Sequence, residues 1–178
     1  GHRSLGYVGY CGAGSGRHTL FRSACTALGL EHHTLDVEVR EENDAFRNGQ
    51  EAAARLAAIP GVTAVLCEDD EFALGVLSGF ADLGLRVPED RSVIGFDDLP
   101  FGRAVRPRLT TIGVKADERA ERAVQLLIDL VEGDAGRRAG LPEAVLLEAE
   151  LIVRDSTAPP PRPSRTVRSR GFRHALPL

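Results

Sequence analysis

The chain has 178 residues, 43% of them hydrophobic and 27% charged, with a formal net charge of −4. That is the composition of an ordinary globular protein, and no apolar run approaches the ~20 residues that span a bilayer. From Ser156 on there are five arginines and no acid, so residues 1–155 hold 17 basic and 26 acidic residues; so acidic a body is a poor holder of DNA phosphates by itself.

The start, Gly-His-Arg-Ser, lacks the apolar core of a signal peptide. The chain contains no Met, so a beginning after a cut is expected. Cys11, Cys25 and Cys67 form no CxxC pair. That argues against a disulfide framework or a zinc site and for small buried residues in a cytoplasmic protein.

Leu5–Cys11 ("LGYVGYC") is a short apolar run ended by glycines and reads as a buried strand. Phe21, Ala24, Cys25 and Leu28 fall at helical spacing, and Gly29 stops that helix. Thr34–Val39 ("TLDVEV") alternates and predicts a second strand. Asn43 or Asp44 can cap a helix with Ala52, Ala53 and Leu56 inward, broken by Pro60-Gly61. Val62–Cys67 is a third strand. Asp69 or Asp70 caps a helix running to Leu83, with Gly84 as its stop. Ser92–Phe96 ("SVIGF") is a fourth strand, and a Pro-containing loop (Asp97–Arg108) leads to a fifth, Leu109–Ile112. Asp117–Glu132 predicts a further helix, 133–140 a polar turn, and Val145–Val153 a last strand. Strands alternating with helices argue for an α/β fold with a parallel sheet. Residues 156–178, rich in Pro, Arg and Ser, read as a flexible basic tail to a 1–155 domain.

The glycine loop "GYCGAGSGRH" (Gly9–His18) raises nucleotide binding. The dinucleotide fingerprint is G-x-G-x-x-G, but Gly12-Ala13-Gly14-Ser15-Gly16 is G-x-G-x-G followed by Arg17, and Asp36 is read as mid-strand. A phosphate loop needs Gly-Lys, and no Lys is near. The loop still suits a cleft, since open α/β sheets bind ligands beyond the carboxyl ends of their strands and glycines bring amides close to a ligand. Two acid clusters, Glu68-Asp69-Asp70 and Asp97-Asp98, are expected at the same edge. A receiver-type Mg²⁺ pocket does not fit, because its acid pair follows the first strand. Catalysis needs a nucleophile and a base in reach. His18, His32 and His33 belong to no such pair, so no catalytic residue, metal or cofactor is expected.

The stretch Thr63–Ile112, with "TAVLC-x-DD-x-x-ALG", "GLRVPEDRSVIGFDD" and "RPRLTTI", resembles the lactose-repressor/galactose-repressor family of transcription regulators. "GHRSLGYVG" at the start and "LIVRDSTAP" near the end match it too. The resemblance implies a periplasmic-binding-protein-like sensor that clamps a small effector, often a sugar or nucleobase, between two subdomains. It implies a homodimer, no membrane, and operator DNA bound only through a helix-turn-helix region outside these residues. The chain corresponds to the second subdomain with a crossover helix (117–132) and last strand. Asp97 matches the family's ligand-binding Asp. Asp69 stands where an Asn is usual, which keeps an acceptor and loses a donor. The family's Arg falls on Leu20, and Arg17 is the candidate substitute; Ser15 and Phe46 complete the expected effector set. At helical spacing Phe72, Val76, Phe80 and Leu83 form one stripe and Leu74, Leu77 and Ala81 another. The family dimerises through this helix, so Leu74, Leu77, Ala81 and Val105 are expected at a dimer interface. The alternative is the periplasmic sugar-binding protein of a transporter, which shares the fold.

Overall fold

The computed structural model describes residues 1–12, 16–37, 44–132, 140, 142 and 144–161. The strands are β1 (Ser4–Gly9), β2 (Glu31–Asp36), β3 (Val62–Cys67), β4 (Ser92–Phe96), β5 (Thr110–Gly113) and β6 (Glu150–Ile152). They form one sheet in the order β2-β1-β3-β4-β5-β6. Helices α1 (Gly16–Ala27), α2 (Ala45–Ala57) and α3 (Asp70–Asp82) link the first four strands, and α4 (Ala116–Glu132) follows β5.

The first five strands pair in parallel, as the alternating pattern predicts; β6 runs antiparallel to β5. The reason lies in α4, which buries no residue. A chain that leaves the carboxyl edge without crossing back over the sheet re-enters from that edge, and its strand points the other way.

Side chains alternate across each strand. On one face Val8, Val65, Cys67 and Val93 pack with Leu56 of α2 and with Phe72, Val76 and Phe80 of α3. On the other, Tyr7 meets Phe21 and Cys25 of α1. Burying Phe72 and Phe80 completely contributes about 1.5–3 kcal/mol each. Leu83, expected in the same stripe, is half exposed at the helix end. α2 and α3 approach backbone to backbone: a Cβ on Gly75 would collide with the Phe46 carbonyl, and one on Gly49 with that of Phe72.

Several boundaries differ from the expectation: β1 ends at Gly9 rather than Cys11, and β5 spans Thr110–Gly113 rather than Leu109–Ile112. β2 begins three residues earlier than Thr34, because Gly29, at φ +62°, turns the chain straight into register with Ser4 opposite Glu31. At this sheet edge only Leu35 is buried, so alternation there is a weak guide. β6 holds three residues rather than the run Val145–Val153. Ser156, assigned to the tail, belongs to the body: its hydroxyl donates to the Val93 carbonyl (2.7 Å) and accepts from the Thr110 amide (2.8 Å). The Ala158 amide likewise reaches the Ser92 hydroxyl (3.1 Å). The expected turn at 133–139 and tail at 162–178 lie outside the described residues.

Candidate effector site at the carboxyl edge of the sheet

With β1, β3 and β4 adjacent, the segments that follow them converge on one edge. Arg17, in the first turn of α1, is the hub. Its Nη1 donates to the Glu68 carbonyl (2.8 Å) and to Glu68 Oε1 (3.3 Å). Its guanidinium carbon lies 3.9 Å from the centre of the Phe96 ring, within the range of a cation–π contact. Glu68 is itself held by the Tyr7 hydroxyl, which donates to Oε2. So anchored, Arg17 brings Nη2 to 3.8 Å from Asp97 Oδ1. That is ion-pair range and too long for a hydrogen bond, so both groups keep hydrogen-bonding capacity. About a third of each side chain is exposed (39% and 33%).

Asp97 and Asp98 both have positive φ, +104° and +57°, a region that non-glycine residues rarely occupy. The Asp97 amide donates to the Ile112 carbonyl (2.8 Å). Asp97, Asp98, Arg103, Lys115, Glu118 and Glu150 line a cavity of about 450 Å³ where β5 leaves the sheet.

The neighbouring acids divide the work. Asp69 caps α3, accepting from the Phe72 amide (2.9 Å). Burial pushes its carboxyl up against the pull of that amide, and the charge of Asp97 adds to the rise. Asp70 does not cap. It is fully buried and accepts from the Thr111 hydroxyl (2.6 Å) and the Leu99 amide (2.7 Å). Burial raises its carboxyl too, opposed by those bonds. A Cβ on Gly95 would strike Asp70 Oδ1, so the glycine of "SVIGFDD" makes room for this clasp. At Asp98, burial is outweighed by hydrogen bonds from Arg154 and Arg103, which hold its carboxyl below the usual range.

Of the expected effector residues, Asp97 and Arg17 meet and Asp69 stands beside them. Phe46 does not join them. It lines a shallow depression with Leu74, Leu77, Ala81, Val105 and Arg106. The position of a residue in the first turn of α2 is set by the close α2–α3 seam, which turns Phe46 toward α3. The same depression gathers all four residues expected at the dimer interface. Ser15 lies outside the described residues. Leu20, where the family has its Arg, is 71% exposed. A Cβ on Gly12 or Gly16 would meet nothing within 4 Å, so packing does not require these glycines. Asp36 ends β2 rather than lying mid-strand, and its carboxylate accepts from the Cys11 amide (2.9 Å). Burial and the Asp36 charge push the Cys11 thiol up to about 12, so it is no thiolate at neutral pH. Among the described residues no group of three or more His, Cys, Asp or Glu could hold a metal ion.

Sequence reading passed over Glu68, Phe96 and Arg154 as site residues. Glu68 sat in the noted acid cluster, Phe96 in the strand before Asp97, and Arg154 in "LIVRDSTAP". Each was visible, but only the fold shows that they converge.

Residues 1–157 match the family described as periplasmic binding protein-like domain. Over 116 residues the chain is 40% identical to the HTH-type transcriptional repressor CytR of Escherichia coli K12, covering 63% of this chain and 32% of the repressor. It is 35% identical over 140 residues to the HTH-type transcriptional regulator MalR of Streptomyces coelicolor, covering 79% and 40% respectively. A LacI family regulator from Arthrobacter sp. FB24, solved in complex with lactose, superposes with a TM-score of 0.75 at 29% identity, over 88% of this chain and 57% of that one. One from Enterococcus faecalis, solved with bound ribose, gives 0.75 at 25% identity, over 89% and 55%. The chain thus spans two-fifths or less of these curated relatives. Both relatives are regulators by name, which favours the regulator over the transporter protein. The chain belongs to the periplasmic binding protein-like domain family.

Proposed function

We propose that the carboxyl-edge cleft binds a small polyhydroxylated effector and that Asp97 and Arg17 are its paired contacts. The observation that carries this is their juxtaposition at 3.8 Å beside the Phe96 ring. One ligand hydroxyl donates to the Asp97 carboxylate while its neighbour accepts from the Arg17 guanidinium. Lactose and ribose, bound in the two similar solved proteins, are ligands of this kind. Glu68, Asp69 and Asp97 outnumber Arg17, so the cleft favours a ligand rich in donors or bearing positive charge.

The domain acts by binding, without catalysis, in a cytoplasmic regulator. It dimerises through the Leu74, Leu77, Ala81 and Val105 surface, and operator DNA is held by a helix-turn-helix region. The test is a thermal-shift panel of neutral sugars, amino sugars and nucleosides on the gene's complete product, followed by calorimetry. A charge-assisted hydrogen bond contributes about 1.5–3 kcal/mol, so Asp97→Ala should weaken the selected ligand roughly ten- to a hundredfold. Unchanged affinity would remove Asp97 from the site. Asp69→Asn keeps the capping oxygen and restores a donor, and it should tighten sugar binding.

A further inference from the structure

We infer that Arg154, acting through Asp98, is the positioning residue that holds Asp97 in its cleft-facing conformation; its importance for ligand rests on the reading of Asp97 above. Two consecutive non-glycine residues at positive φ persist only where the surroundings over-determine them. Here the surroundings can be named. The three amides from Asp97 to Leu99 are each caught: Asp97 by the Ile112 carbonyl (2.8 Å), Asp98 by the Thr111 hydroxyl (3.4 Å) and Leu99 by Asp70 Oδ2 (2.7 Å). These bonds fix where the segment lies. The Asp98 carboxylate is clamped from the side by two arginines, and the two are unequal. Arg103 is 64% exposed, whereas Arg154 is 11% exposed and Asp98 14%.

Arg154 is also the better anchored. Its backbone amide donates to Thr110 Oγ1 (2.9 Å), its Nη1 to the Leu109 carbonyl (2.8 Å), and its Nη2 to Asp98 Oδ1. One planar fork therefore bridges the start of β5 to the turn that carries Asp97. Since Arg154 immediately follows β6 and its neighbour Val153, the aim of Asp97 is tied to the strand that returns from α4. Arg154 touches no part of the proposed ligand contacts; its effect passes through Asp98.

The experiment is amide hydrogen exchange by NMR on this chain, with urea unfolding of each variant as the control for global stability. The variants are Arg154→Ala, Arg154→Lys and Asp98→Gly. Arg154→Ala should speed exchange at Asp97 and Asp98 about tenfold while the central Val65 amide keeps its protection. Arg154→Lys, which keeps the charge and loses the fork, should fall between Ala and wild type, and it serves should the Ala variant not fold. Asp98→Gly separates positioning from strain. Glycine adopts φ +57° freely, so a purely conformational role predicts slower exchange at Asp97, and the Arg154 clamp predicts faster. Unchanged Asp97 protection in Arg154→Lys and Asp98→Gly, or equal loss at every sheet amide, would overturn the assignment. No ligand enters this measurement, so its failure is distinct from failure of the effector reading, which calorimetry on Asp97→Ala decides.

Discussion

Helix α3 buries eight of its thirteen residues, whereas α4 buries none of its seventeen. Both carry apolar stripes. α3 finds cover on two sides because Gly75 and Gly79 let α2 close on it while Phe72, Val76 and Phe80 face the sheet. α4 leaves the sheet after β5 with Val124, Leu127, Ile128, Leu130 and Val131 all exposed. An amphipathic pattern states that a stripe needs cover and says nothing of where the cover comes from. In α3 the cover is this domain. For α4 no such cover is present among the described residues, and the family resemblance implies that it comes from a first subdomain outside them.

The contrast breaks most sharply at the glycine seam. Gly75→Ala forces a methyl against the Phe46 carbonyl and should cost about 3 kcal/mol, read as a lower urea midpoint at unchanged slope. A loss below about 0.5 kcal/mol would mean the helices part easily. Next is the outer face of α3. Leu74→Glu puts a charge at the centre of the proposed dimer surface and should raise the dissociation constant about a hundredfold, roughly 2.7 kcal/mol, seen by sedimentation of the gene's complete product.

The clasp beneath that helix comes third. Asp70→Asn keeps an acceptor for the Leu99 amide but turns an NH2 donor toward the Thr111 hydroxyl, which must change from donor to acceptor, at about 1 kcal/mol. Its pH dependence separates it from Asp98. Asp70 has a raised folded pKa, so it lowers stability as pH rises above the unfolded carboxylate range, near 3.9. Asp98 has a lowered one. Its contribution is present above that range and is lost as pH falls through the folded value. Asp98→Asn should therefore flatten the acid limb of the stability profile, and Asp70→Asn should lessen the decline on the other side of about pH 4, leaving the part that Asp69 contributes. The same slopes in both variants would contradict this division. The smallest effect belongs to α4: Leu127→Ala should change the chain's stability by less than about 0.5 kcal/mol, because its side chain is exposed. A large loss of stability would mean that α4 is covered within the chain.

Much of the frame was legible in the residues. Val62–Cys67 and Ser92–Phe96 are buried runs bounded by turn residues, and they form strands at those bounds. That Asp69 or Asp70 caps α3, and that the helix carries two apolar stripes, followed from spacing; the structure selects Asp69. β2 was misplaced because an edge strand with one buried side chain has almost no alternation to read. The last strand is shorter than its apolar pattern, and Ser156 joins the body rather than the tail, for a different reason. Their place depends on α4 not crossing the sheet, a property of tertiary cover rather than of local pattern. At the site, Asp97 and Arg17 were visible singly; that Glu68 and Phe96 hold Arg17 against Asp97 is a consequence of strand order. Phe46 misled because a helix's first turn can face the cleft or the neighbouring helix, and the glycine seam chooses the second.

The central claim is that Arg17 and Asp97 recognise one ligand as a pair. A double-mutant cycle on the gene's complete product tests it, using Arg17→Gln, Asp97→Asn and the double variant, with calorimetry of the sugar bound tightest in the panel. Each single change should weaken binding, and the double should be little worse than the poorer single, a coupling of about 1–2 kcal/mol. Additive losses, or wild-type affinity in either single variant, would contradict the account.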